Sequence, residues 1–151
     1  MKLCSNKKKA PDAQKARSGA LNVINLQKEI ILSDLSFKKI DQSIKDRKRL
    51  HLSFLDNVKT YKSFLELEEK AFCNGALDKK TKQLMALSIS IVTKCEPCME
   101  WHLDQAMKAN ATDEEIYETI DVAIEMGGGQ AGAYARFVLK ALEYFKDNND
   151  E

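Results

Sequence analysis

The sequence predicts an all-α protein. Apolar residues recur at helical spacing almost throughout, no strand-like alternation is sustained, and only Pro11 and Pro97 interrupt the chain. The 151 residues, 44% hydrophobic and 31% charged, have the size and composition of one globular domain able to bury a core in water.

The elements follow in order. Residues 1–20 are polar and nearly free of large apolar groups, so burial cannot offset the entropy of ordering them, and a mobile arm is expected. From Leu21 to Leu50 run two weak helical patterns, the second with Phe37, Ile40 and Ile44 on one stripe among lysines and arginines. Asp56 is a plausible N-cap for a helix whose face is traced by Val58, Tyr61, Phe64, Leu65, Ala71 and Phe72, ending at Asn74-Gly75. Asp78 caps the next helix, which runs to about Thr93. Its segment LMALSISIV is apolar on nearly every side, as suits a helix packed between neighbours or between subunits. Pro97 is tolerated only in a first helical turn, so a helix begins beside Glu96 and runs to Asn110, which can end it in the left-handed region. Thr112 and Glu115 form a capping box for a helix that stops at Gly127-Gly128-Gly129, and a last helix spans Ala131 to about Lys146.

The longest nearly apolar run, Leu84 to Val92, falls well short of the roughly 20 residues that cross a bilayer. No signal-peptide pattern follows the basic start, and Cys4 has no apolar run before it, so a cytoplasmic protein with reduced thiols is expected. The net charge of +1 hides a split. Residues 1–50 carry +8 and residues 51–151 carry −7. The first stretch reads as a basic N-terminal extension and the second as the helical domain. The basic charges are taken as a solvated arm, or as a complement to the acidic body of the same oligomer. Lysine runs without interleaved aromatics are a weak motif for nucleic acid or membrane, and neither partner is expected.

One constellation carries chemistry. Cys95-Glu96-Pro97-Cys98 is a C-x-x-C, and His102 lies four residues beyond its second cysteine. On a helix Cys95, Cys98 and His102 share one face. The helix start favours a thiolate, and His102 can take a proton from Cys98 or stabilise its anion. Two thiols three apart can also close a disulfide after one is oxidised. That is the equipment of a thiol peroxidase or disulfide reductase. A pair of unreactive buried cysteines is the bland alternative. Zinc is the sharper rival, but a fourth ligand would have to come from Cys73 or His51, neither of which has a partner at ligand spacing, so no metal and no cofactor is expected. Cys73 is read as a small apolar filler, His51 as a surface or packing residue, and Trp101, Met85, Met99 and Met126 as core.

From about Asp56 to Phe145 the chain resembles the AhpD-like family within the carboxymuconolactone decarboxylase superfamily. The resemblance is carried by NGALDKKTKQLMALSISIVTKCEPCMEWH and ANATDEEIYETIDVAIEMGGGQAGAYARFVL, where the cysteine pair, the histidine, the T-x-E-E-I segment and the triple glycine stand in family order. It implies an AhpD-like helical bundle that assembles into homo-oligomers, commonly trimers or hexamers. It also implies hydroperoxide reduction by the thiol pair, with electrons returned by a dithiol donor. Cys95 and Cys98 match the redox pair, and His102 matches the relay histidine. Gln83 stands where the family usually has a glutamate, and a carboxamide hydrogen-bonds but does not pass a proton. Residues 1–50 match nothing in the family, so the domain from residue 51 is expected to supply the core and to fold without them.

The leading function is therefore a thiol-dependent redox enzyme acting on a hydroperoxide or disulfide substrate through Cys95, Cys98, His102 and Gln83. The alternatives are a non-catalytic helical binding or scaffold protein of the same fold, in which Gln83 marks lost activity, and a decarboxylase-type lyase. The lyase would leave the cysteine pair unexplained.

Overall fold

The structure, a computed structural model, describes residues 13–149. Cys4 and residues 1–12 of the expected mobile arm lie outside the described residues; from Ala13 the backbone is helical. Five helices follow in order: α1 (Ala13–Asn57), α2 (Tyr61–Phe72), α3 (Lys79–Val92), α4 (Glu96–Lys108) and α5 (Asp113–Asn149). No strand occurs among the described residues. The chain divides into two compact units, Met1–Leu35 and Ser36–Glu151. In the first, α1 is helical from Ala13 to the unit's end. The second holds the core and the candidate site.

In that second unit α3 packs on both α4 and α5, α4 packs on α5, and α2 lies against α3. Leu87 and Ile91 of α3, Met99 and Leu103 of α4, and Ile116, Ala123 and Val138 of α5 are fully buried. Ile40 of α1 joins them, buried to 1% exposure, with Ile44 packed alongside. The compact unit thus begins at Ser36, not at residue 51, and the expectation that the helices after Asp56 account for the core is corrected by Ile40. The stripe of Phe37, Ile40 and Ile44 is apolar because it faces this core. Asp56 is not an N-cap either, since α1 runs through it to Asn57 and α2 starts after Thr60 without a side-chain cap.

The later boundaries lie where local chemistry puts them. Thr81 N–H donates to Asp78 Oδ1 at 2.7 Å. At the head of α5, Thr112 N–H donates to Glu115 Oε2 at 2.8 Å and Glu115 N–H donates to Thr112 Oγ1 at 3.3 Å, a reciprocal capping box. Asn110, at φ 64°, ends α4 in the left-handed region. Gly128, also at φ 64°, breaks the helical path of α5 inside the glycine triplet. A Cβ on Gly127 would come within 2.7 Å of Ala131 Cβ, so glycine is required there for close approach. Met99 is core as expected, but Met85, Met126 and Cys73 are exposed. Helical spacing shows which residues share a stripe and cannot tell a stripe facing the core from one facing outward.

α3 ends in a Schellman turn. Lys94 N–H donates to Ile91 O and Cys95 N–H donates to Ser90 O, with Lys94 at φ 61° in the position glycine usually takes. A residue with a Cβ is strained there. Lys94→Gly is therefore expected to stabilise the protein by about 0.5–1 kcal/mol, the left-handed penalty less the extra chain entropy of glycine. A higher urea midpoint at unchanged slope would show it, and an unchanged or lower midpoint would count against strain at Lys94.

Candidate functional site

The same Schellman turn delivers the cysteine pair. By turning the chain back within two residues it sets Cys95 as the N-cap of α4, with Pro97 in the first turn where its missing N–H costs nothing. Cys98 follows one turn on. The two cysteines are joined as a disulfide, their Cα atoms 5.2 Å apart, and both are half-buried.

His102 lies one turn beyond Cys98. Its Nδ1 is 2.8 Å from Oε1 of Gln83, which α3 holds almost fully buried. A carboxamide oxygen can only accept, so Nδ1 carries the hydrogen and Nε2 keeps its lone pair. The Phe72 ring lies 5.4 Å from the imidazole. Burial pushes the His102 pKa below its ordinary 6.5, with Glu68 pulling the other way, so the ring is a neutral base near neutral pH.

Cys98 and His102 open onto one cavity of about 550 Å³. Tyr61, Phe64, Leu65 and Trp101 give it apolar walls, and Arg47, Lys48 and His51 of α1 close one side. Cys95 is not among the lining residues. His51 Nδ1 is 2.9 Å from the Tyr61 hydroxyl, and Cys73 Sγ is 3.1 Å from the Lys70 carbonyl.

Several residues here escaped the sequence reading. Trp101 Nε1 donates to Glu68 Oε1 at 3.0 Å, and the Arg47 guanidinium lies 4.5 Å over the Trp101 ring. Arg47 Nε also donates to Oε1 of Glu100 at 2.8 Å, while Glu100 Oε2 has no partner among the described residues. A signal existed for two of them. Glu68 sits at helical spacing within the Tyr61, Phe64, Leu65, Phe72 face, and Arg47 extends the Ile40, Ile44 stripe. A charge on an apolar stripe asks for a partner.

Glu100 is fully buried, which pushes its pKa above the ordinary 4.5 against the pull of Arg47. A carboxyl whose pKa rises on folding holds its proton more tightly in the folded state. The stability it lends is complete below 4.5 and is lost as pH rises through the folded value. Glu100→Gln keeps an acceptor for Arg47 and removes the charge. The gain in Tm of Glu100→Gln over the parent is expected to grow as pH rises from about 4.5 to about 8. A gain that is flat or shrinks with pH would contradict a raised pKa.

The sequence matches the carboxymuconolactone decarboxylase family over residues 59–141. The chain belongs to this family. It is 38% identical over 112 residues to uncharacterized protein 4 in the cox locus of Paracoccus denitrificans, covering 74% of this chain and 96% of that one. A crystal structure of TM1620 from Thermotoga maritima superposes with a TM-score of 0.67 at 31% identity, covering 72% of this chain and 96% of that one. Apo-lpg0406, a carboxymuconolactone decarboxylase family protein from Legionella pneumophila, superposes with a TM-score of 0.65 at 34% identity and the same coverages. The family's all-helical fold is thus this chain's fold.

Proposed function

We propose that this family member is a thiol-dependent redox enzyme of the AhpD-like type that reduces hydroperoxides, or disulfides, with Cys98 as the attacking thiol and Cys95 as the resolving one. The observation that carries the reading is the shared cavity. Cys98 and an imidazole oriented by Gln83 line the same apolar space, and Cys95 does not line it. Starting from the dithiol, His102 Nε2 takes the Cys98 proton. The thiolate attacks the terminal oxygen of ROOH, the O–O bond breaks, and the leaving RO⁻ takes the proton from His102 to depart as ROH. The Cys95 thiol then attacks the Cys98 sulfenic acid, water leaves, and the disulfide closes. A dithiol donor restores both thiols. For the Thermotoga maritima relative, involvement in an antioxidative response has been suggested, which fits this chemistry.

The test is consumption of an organic hydroperoxide by the purified protein with a small dithiol. One hydroperoxide lost per two thiols, well above the dithiol alone, is expected; a rate equal to the dithiol alone would sink the reading. One observation favours a second, non-catalytic role. Gln83 places a group that cannot pass a proton against His102. A decarboxylase-type lyase gives the disulfide no work.

The protein is also proposed to be a cytoplasmic homo-oligomer, a trimer or hexamer. Met85 and Ile89 of α3 and Val122 and Met126 of α5 are large apolar groups left exposed, as expected of a face that a second subunit covers. Among the described residues no helix is long and apolar enough to cross a membrane.

A further inference from the structure

The redox reading leaves one gap. When His102 accepts the Cys98 proton it becomes a cation in a half-buried site, and on the side of Nδ1 the structure offers it only a neutral amide. Burial already disfavours that cation. The Cys98 thiolate offsets part of that cost, and a fixed negative charge nearby favours the protonated ring further.

We propose that Glu68 supplies the negative charge that Gln83 does not, holding the His102 imidazolium formed when Cys98 gives up its proton. This rests on the thiol-redox reading above. Glu68 is the one carboxylate among the residues lining the cavity that contains Cys98 and His102. It comes from α2, so it approaches from a different helix than Gln83. Its Oε1 accepts from Trp101 Nε1 at 3.0 Å, which fixes the carboxylate beside the residue preceding His102. The field of Glu68 acts on His102 in the required sense, favouring the protonated ring.

The other groups around the imidazole do not fill this role. From α1 come Arg47, Lys48 and His51, of which Arg47 is matched by Glu100 and Lys48 would oppose the cation. Tyr61 of α2 lines the cavity, and α5 contributes nothing to its wall. A second cavity, lined by Gln83 and again by Glu68 and Trp101, adds Glu69 and Lys79, charges of opposite sign. Glu68 is therefore a positioning residue that acts through the imidazole.

A glutamate that merely anchored Trp101 would have the same hydrogen bond and a different signature. Glutamine at residue 68 can still accept from Trp101 but carries no charge, and aspartate keeps the charge on a shorter arm. The measurement is the NMR titration of the dithiothreitol-reduced protein, whose two histidines are told apart by loss of one signal in His102→Ala. In Glu68→Gln the His102 midpoint is expected to fall by roughly 0.5–1 pH unit, and kcat/KM for cumene hydroperoxide by about three- to tenfold. Gln83→Glu added to Glu68→Gln should restore both, and Glu68→Asp should keep most of the midpoint. An unchanged His102 midpoint in a folded Glu68→Gln protein overturns the proposal. So does the reverse pattern, with Glu68→Asp losing the midpoint and Glu68→Gln keeping it. If the midpoint falls as expected while the parent consumes no hydroperoxide, the role of Glu68 stands and the peroxide reading fails.

Discussion

Replacing Cys98 with serine is expected to bring hydroperoxide consumption down to the rate of the free dithiol, whereas Cys95→Ser, reduced and then freed of dithiol, should consume one hydroperoxide per chain and stop. The asymmetry comes from the cavity, which Cys98 lines and Cys95 does not. A serine hydroxyl beside His102 has no accessible anion near neutral pH, so the attacking step is lost. With Cys95 gone the first O–O cleavage proceeds, but the Cys98 sulfenic acid has no neighbouring thiol to expel its oxygen as water. A sulfenic-acid trap should therefore label Cys98 in Cys95→Ser and nothing in Cys98→Ser. His102→Ala should slow the first turnover by about 10²- to 10⁴-fold, the usual worth of a positioned base. If Cys95→Ser loses the first turnover and Cys98→Ser keeps it, the two roles are reversed.

How much of this was legible in the sequence depends on how local the cause is. Asp78, the Thr112–Glu115 box, Asn110 and the glycine triplet act within a few residues, and each boundary could be read from side-chain chemistry alone. Cys95, Cys98 and His102 could be placed on one helix face for the same reason. The spatial approach of Gln83 to His102 could not, because it depends on how α3 packs beside α4. The sequence reading singled out Gln83 only through the family resemblance. Glu68, Arg47 and Glu100 belong to three different helices, and their partners lie 33 residues apart for Glu68 with Trp101 and 53 for Arg47 with Glu100. Nothing local announces such pairs beyond a charge set on an apolar stripe. The stretch before Leu50 reads as dispensable because the family-like region begins near Asp56 and its helices look sufficient for the core. Yet Ile40 and Ile44 pack in the core, and Arg47 pairs with the buried Glu100, so this part of α1 belongs to it.

A chain beginning at His51 is accordingly expected not to fold cooperatively, while one beginning at Ser36 should. Loss of Ile40 removes a side chain with 1% exposure, and emptying such a site costs about 2–5 kcal/mol even in the milder form Ile40→Ala. Loss of Arg47 leaves the Glu100 carboxylate in the interior without its cation, a change that typically costs about 3–5 kcal/mol. Phe37 is lost from its edge-on contact with Tyr144, and Asp41 from the Tyr144 hydroxyl. Small domains have only about 5–15 kcal/mol in total, so these losses together consume most of the margin. The same cut removes Arg47 and Lys48, opening one wall of the cavity before Cys98 and leaving Trp101 without its guanidinium cover. Thermal melts followed in the near-ultraviolet and the far-ultraviolet, with Ile40→Ala in the full chain as the graded comparison, would resolve this. A sharp, coincident transition for residues 51–151, with the parent's oligomeric mass in light scattering, would show that α1 is not needed for the core.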